Sequence, residues 1–439
     1  MLNRVSKDST EVLDQPNLAG QQTDVRIPDR GIGRVFLSLK NRDFLFLWLS
    51  MLGSMTAMGM QMVAGGYLAY ELAGSASALG IVTAAWGVPQ LLLSPVAGVV
   101  ADRFSKRNLI IASQSILGIM ALVNVLLIST GLIQIWHMVI LGLVQGAVFA
   151  FNMPARQALI PAIVGRENIA NAIALNNAGM NLTRIVGPAI AGLIIAIPAV
   201  GIAGAYGAMA LCYIVALLML FQLPSQRGSA PVQHDSVMQS MANGIRYVGS
   251  NPNLLLLLAG AFAFVLFAMP YQVLMPIFAL RVHGVGPEGL GLLAGASGLG
   301  ALAGSLVVAY FSTRPNKDTM QTVAGIGVGI TLVMFAFAPS YFLAIAMMFL
   351  VGAAGNMYMA LNSTMIMTNT DTAMHGRVMS VYMMTFSLMP LTSLPMSLLA
   401  DAIGVQWTVA GAGALAALAI VGISFFSKLR MSKVSSEAS

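Results

Sequence analysis

The sequence predicts an all-α membrane protein, with about twelve transmembrane helices in two pseudo-symmetric six-helix bundles. Three observations carry this reading. Hydrophobic residues make up 58% of the 439 positions and charged residues only 8%, where a water-soluble chain carries about 25% charged residues. The apolar runs are about 20 residues long, which matches the hydrocarbon thickness at about 1.5 Å rise per residue. One long polar stretch divides those runs into equal halves. Lipid offers no hydrogen-bonding partner to a bare backbone, so only helices or a closed barrel can span it. The period-2 alternation that marks barrel strands is absent.

Taken in order, residues 1–43 read as a cytoplasmic N-terminal tail. Arg4, Lys7, Arg26, Arg30, Arg34, Lys40 and Arg42 are interspersed with acids, without the charged, apolar, small-residue order of a cleavable signal. The first thirty or so positions read as disordered, and Val35 to Lys40 as a short interfacial helix. Apolar segments follow at about 44–70, 78–101, 109–129, 134–157, 170–196 and 202–223, giving an N-terminal bundle over 44–223. Residues 224–253 form a cytoplasmic linker. The runs resume at about 254–281, 289–311, 320–338, 341–368, 376–401 and 405–427, a C-terminal bundle over 254–427 before a cytoplasmic tail at 428–439.

Lys and Arg fix the orientation. Arg103, Lys106, Arg107, Arg156, Arg166, Arg227, Arg246, Arg314, Lys317 and Arg377 fall in alternate loops and the linker, while the opposite loops hold only Arg281. The asymmetry places both termini in the cytoplasm of a multi-pass inner-membrane protein. The formal charge of +7 is therefore topological and does not mark a nucleic-acid surface. The single cysteine, Cys212, permits no disulfide framework and no Cys/His metal cluster. No metal and no cofactor is expected, and the sequence sets no oligomeric state.

The halves echo one another. Asn152 followed by Gly165-Arg166 returns as Asn362 followed by Gly376-Arg377, at offsets of 210 and 211. Parallel repeats with a site at the midplane between them are one recurrent transporter architecture.

The sharpest motif is Gly98-Val-Val-Ala-Asp102-Arg103-Phe-Ser-Lys106-Arg107, between the second and third spans. Gly98 permits close helix approach, Asp102 ends a helix at the membrane edge, and the basic residues anchor the loop. It resembles the G-x-x-x-D-R-x-x-[KR]-[KR] loop of the major facilitator superfamily. That resemblance implies the major facilitator fold, and a conformational lock made by Gly98, Asp102, Arg103, Lys106, Arg107 and Arg156. The corresponding second-half loop, Tyr310-Phe-Ser-Thr-Arg314-Pro-Asn-Lys317, lacks the aspartate.

On the fifth span, Gly187-Pro188 and Gly192 resemble the G-P-x-x-G-G motif of the superfamily's antiporters, with Ala191 in place of the first closing glycine. Asn177, Asn181, Arg184 and Pro188 share a helical face, and Gln145, Asn152 and Arg156 share one on the fourth span. Both are read as polar stripes facing a central substrate cavity. An arginine near a helix centre costs about 2.5–3.5 kcal/mol on insertion scales. Arg184 therefore either binds an anionic substrate or holds a structural network of carbonyls.

The second-half cavity candidates are neutral: Tyr271, Gln272, Asn356, Tyr358 and Asn362. Met357, Met359, Met365, Met379, Met383, Met384 and Met389 would suit a bulky or variable ligand, or simply pack against lipid. All fifteen acids fall in tails, loops or helix ends. Asp102 and Glu71 are thus proton-carrier candidates by elimination, with Asp401 next nearest a span.

Leu39-Lys-Asn-Arg-Asp-Phe44, the Asp102 loop, Asn152-Met-Pro-Ala-Arg156-Gln-Ala-Leu-Ile-Pro161 and the Arg184 helix together resemble the enterobactin-exporter and drug-efflux branch of that superfamily. The resemblance implies proton-antiport export of a small molecule, a siderophore, drug-like amphiphile or secreted metabolite, by alternating access. Lysophospholipid transport and metabolite-uptake symport are the alternatives. An intramembrane enzyme would need paired acids, a nucleophile with its base, or metal ligands within the bilayer. His137, His234, His283 and His375 lie apart, so no enzyme is expected.

Overall fold

The computed structural model describes residues 37–224, 237–311, 316–371 and 374–437, apart from the side chains at 95, 98, 99, 101–103, 166, 237–241, 428 and 430–437. Twelve helices are long and apolar enough to cross a membrane, and no strand forms among the described residues. The first six are Arg42–Ala73, Ala76–Arg103, Lys106–Ser129, Ile135–Val164, Ile169–Ile195 and Gly201–Phe221. The seventh to eleventh are Pro252–Val282, Pro287–Tyr310, Lys317–Ala336, Tyr341–Thr368 and His375–Ile403. The twelfth is Val405–Glu437.

Local sequence sets the helix ends. Asn41 accepts hydrogen bonds from the Asp43 and Phe44 amides and caps the first helix. Gly74, at φ 64°, closes it onto the Tyr70 carbonyl, a left-handed conformation that favours glycine. Ser75 immediately caps the second helix by accepting from the Ala78 amide. Ser340 and Asn251 do the same for the tenth and seventh.

Several elements differ from the sequence expectation. A 3-10 turn at Leu37–Lys40 stands where the interfacial helix was expected, and residues 1–36 lie outside the description. The linker contains a helix, Val237–Ser250, docked on the second bundle. The Tyr247 hydroxyl donates to Asp371 Oδ2 at 2.8 Å and accepts from the Asp371 amide at 3.2 Å. The twelfth helix continues past 427, where a tail was expected, to Glu437.

The seventh and eleventh spans are broken. The seventh runs as α-helix to Ala263, widens to a π-helix at Phe264–Ala268, restarts at Tyr271–Ile277 and widens again at Phe278–Val282. Pro270 sits in the gap, where it donates no hydrogen bond. The eleventh divides into His375–Ser387 and Met389–Ile403, with Pro390 opening the second piece.

Buried apolar packing joins the bundles most continuously toward one end. One buried apolar cluster runs through both halves, from Ala57, Met60 and Tyr206 to Phe264, Phe278 and Phe335. At the end that carries the linker, burial divides into two separate clusters. Phe44, Leu47, Ile110, Leu159 and Leu220 form one, and Leu254, Leu258, Ile366, Val378 and Tyr382 the other. The halves share one buried core toward the far end and keep separate cores at the linker end, where the second span still touches the linker helix and the first piece of the eleventh.

Candidate functional site

The break in the seventh span aims its polar residues at the junction between the bundles. Tyr271 follows Pro270 directly, and its hydroxyl lies 3.3 Å from Ser297 Oγ on the eighth span. Arg184 on the fifth span has an exposed side chain, and its backbone carbonyl packs on the eighth span, 3.3 Å from where a Cβ on Gly298 would lie. Broken helices with π-turns recur at functional sites because they free backbone groups and re-aim side chains. Asn181 is half-buried one turn before Arg184, and Asn177 is exposed beyond it. Gln272 is half-buried beside Tyr271. The result is a cation, a phenol, a hydroxyl and three amides contributed by both bundles. Such a set can hold an anionic or polar-aromatic group by charge-assisted hydrogen bonds.

Other residues expected at the cavity are spent inside the bundles. Asn356 Nδ2 donates to the Ala301 carbonyl at 2.9 Å and to Ser305 Oγ at 2.7 Å, tying the tenth span to the eighth. Asn362 is fully buried, and its Nδ2 donates to the Leu257 carbonyl at 3.1 Å. Tyr358 is buried and stacks on Phe264, with centroids 4.9 Å apart. Asn152 is buried with no partner for Nδ2. Helical periodicity puts Asn152 on a polar face, and Asn356, Tyr358 and Asn362 are neutral cavity candidates, but all four are turned toward neighbouring helices or the buried core. Gln145 is half-buried.

The residues expected to form the lock fare unevenly. The side chains of Gly98, Asp102 and Arg103 lie outside the description. Arg107 donates from Nε and Nη2 to the Leu220 and Phe221 carbonyls at 3.2 and 3.1 Å. A cation there complements the C-terminus of the sixth helix. Arg156 is buried, donating from Nη1 to the Leu47 carbonyl at 3.1 Å and from Nη2 to Ser50 Oγ at 3.4 Å, while Nε lacks a partner. Both arginines thus make contacts within the first bundle. Lys106 is half-buried.

The glycine motif divides its work. Gly187 and Pro188 pack on Gly59 of the first span, inside their own bundle. Gly192 crosses to the other: a Cβ there would lie 2.7 Å from the Pro287 carbonyl oxygen and 3.0 Å from Gly291 Cα. Small residues let two backbones touch in this way. Sequence reasoning missed Ser297, Gly291 and both helix breaks. The Met269-Pro270 and Met389-Pro390 pairs inside apolar runs were the available signal for the breaks.

Two six-helix bundles enclosing a polar cluster define a membrane transporter of the major facilitator class. The chain belongs to the family described as Transmembrane secretion effector, whose profile matches residues 35–439. It is 28% identical to the enterobactin exporter of Citrobacter koseri over 288 residues, covering 64% of this chain and 67% of that one. It is 29% identical to the enterobactin exporter of Shigella boydii serotype 18, with the same coverage. Among solved structures, it resembles a bacterial homologue of the human lysosomal transporter Spinster in an inward-facing, unoccupied conformation. There the TM-score is 0.72 at 15% identity, covering 91% of this chain and 98% of that one. The nucleoside transporter NupG gives a TM-score of 0.69 at 12% identity, covering 87% and 98%. These structural likenesses concern the fold. Membership of this bacterial exporter family and the twelve apolar helices make the chain a multi-pass inner-membrane transporter of small molecules.

Proposed function

We propose that this protein exports an anionic amphiphile, of the siderophore or drug-like kind, from the bacterial cytoplasm by alternating access with proton antiport. The observation that carries the reading is Arg184, an exposed cation on the fifth span whose carbonyl packs against Gly298 of the eighth, next to the Ser297 hydroxyl that meets Tyr271. Similarity to exporters of enterobactin supports both the direction and the substrate class. The basic loops put the linker end in the cytoplasm, so a cytoplasmic substrate would enter from the end where the two cores are separate. Asp102, at the linker end of the second span, and Glu71, exposed near the end of the first, are the proton-carrier candidates.

Everted vesicles carrying the protein test this directly. Addition of enterobactin should accumulate it inside the vesicles and dissipate an imposed pH gradient. Arg184→Gln should weaken binding to the purified protein by about tenfold or more, since a hydrogen bond to a charged group contributes about 1.5–3 kcal/mol. Asp102→Asn should abolish the pH response. Accumulation that survives Asp102→Asn with no pH response would remove the antiport assignment. Response to lysophospholipid alone would replace the substrate class, and movement only outward from the lumen would reverse the direction.

A further inference from the structure

The second bundle grips the start of the second helix from across the molecule. Asp401, at the far end of the eleventh span, accepts from the Ala76 amide through Oδ1 at 2.7 Å and from the Ser77 amide through Oδ2 at 2.8 Å. The first two amides of a helix have no partner within it, and the helix dipole favours a negative charge at that point. Both carboxylate oxygens are therefore engaged by charge-assisted bonds. Ser75 caps the same helix from its own chain neighbourhood, accepting from the Ala78 amide. Asp401 is thus a second cap, supplied from 325 residues away.

The contact lies where the bundles are fused. Just below it the second and eleventh spans touch backbone to side chain: a Cβ on Gly80 would lie 2.7 Å from Ser397 Cβ and 3.1 Å from Leu394 Cα. Ser397 and Ser393 are fully buried there. Any motion that parts the bundles at this end must pull the carboxylate off the two amides and expose both.

We propose that Asp401 is a far-end latch. Its carboxylate, docked on the N-terminus of the second helix, holds the far end closed while the linker end is open. The Asp102 motif is expected to close the linker end, so the two acids would serve opposite states, one at each end of the second helix. The latch sets the balance between the states rather than the chemistry of binding. It rests on the alternating-access reading, because a rigid molecule has no state for it to oppose.

The test follows exposure of a buried thiol at the gated end. Ser397→Cys, in a Cys212→Ser background, is reconstituted in lipid nanodiscs and reacted with a bulky hydrophilic maleimide. In the otherwise intact protein, labelling should be slow. Asp401→Ala should raise the rate about tenfold or more, the scale expected when hydrogen bonds to a charged group are lost. Ala76→Pro is the second variant. Position 76 is the first helical residue, where proline suits the helix, and Ser75 at φ −128° and ψ 149° already has the extended conformation that precedes proline. It deletes one donor and displaces the carboxylate without unmaking the helix start. Faster labelling in both variants, with Asp401→Glu restoring part of the slow phase, supports the latch. Unchanged labelling in Asp401→Ala and Ala76→Pro, while added enterobactin still changes the rate in the otherwise intact protein, overturns the latch and leaves alternating access standing. If neither variants nor substrate change the rate, both fall.

Discussion

The two bundles fasten the same backbone position with different chemistry. Leu47 of the first span and Leu257 of the seventh are 210 positions apart, as are Asn152 and Asn362. In each bundle the leucine carbonyl accepts a hydrogen bond at 3.1 Å, from Arg156 in the first and from Asn362 in the second. In the second bundle the asparagine itself makes the bond. In the first, a guanidinium one turn further along makes it and also reaches Ser50, while the Nδ2 of Asn152 finds no partner. The second-bundle counterpart of Arg156 is Ile366, fully buried in an apolar cluster with Leu254, Leu258, Val378 and Tyr382. The fold fixes which carbonyl is held, and the donor is free to change between a charge and an amide.

The bundles also differ in continuity. Pro154, Pro161 and Pro188 lie inside unbroken helices of the first half, whereas the seventh and eleventh spans break around Pro270 and Pro390. Proline alone does not decide the outcome. A kink needs the freed carbonyls to find other partners or a widened turn, and the π-turns of the seventh span provide the latter. The first bundle thus contributes unbroken helices and a cation to the junction. The second contributes the breaks at Tyr271 and within the eleventh span.

The comparison breaks first, and hardest, at Arg156. Arg156→Met keeps most of the stem volume and removes the head group, so the change reports on the polar bonds. It should lower stability by about 2 kcal/mol, because the lost charged hydrogen bonds outweigh relief of the unpartnered Nε. Arg156→Lys, retaining one donor centre, should lose about half as much. Thermal unfolding in detergent reads both. An unmoved midpoint in Arg156→Met would mean that relief from burying the charge cancels the bonds, and the contrast between bundles would lose its energetic content.

Next in size is Asn362→Leu, which removes a neutral donor from the Leu257 carbonyl. Interhelical hydrogen bonds in membranes average about 0.6 kcal/mol, so the loss should be about 1 kcal/mol or less, roughly half that of Arg156→Met. A loss as large as that of Arg156→Met would show that the neutral bond holds its bundle as firmly as the charged one.

These residues show where legibility in the sequence stops. Span number follows from run length, since the hydrocarbon thickness is fixed, but edges follow unevenly: the tenth span, expected at 341–368, is Tyr341–Thr368, while the fourth, expected at 134–157, is Ile135–Val164. Whether a polar residue in a span faces water or a neighbouring carbonyl is not a property of its own helix. The sequence offers Arg184 and Asn362 alike as cavity residues, and only the packing of the seventh span against the tenth shows that Asn362 is buried while Arg184 is exposed. Asp401 was visible as an acid near a span. Its partner amides lie 325 residues earlier, and no pattern in either stretch announces the other.

The smallest effect sharpens the comparison most. Asn152 occupies the position of Asn362 in the repeat, yet its Nδ2 is buried without a partner. An unsatisfied buried amide contributes nothing that leucine would lose, and its removal relieves a desolvation cost. Asn152→Leu should therefore change stability by no more than about 0.5 kcal/mol, or raise it slightly. Measured beside Asn362→Leu, it uses one substitution at equivalent positions, so side-chain volume and helix propensity cancel between them. A loss at Asn152 equal to that at Asn362 would mean that its amide bonds in another state of the transport cycle. The first bundle would then hold its carbonyl with both residues, using the asparagine when the guanidinium lets go.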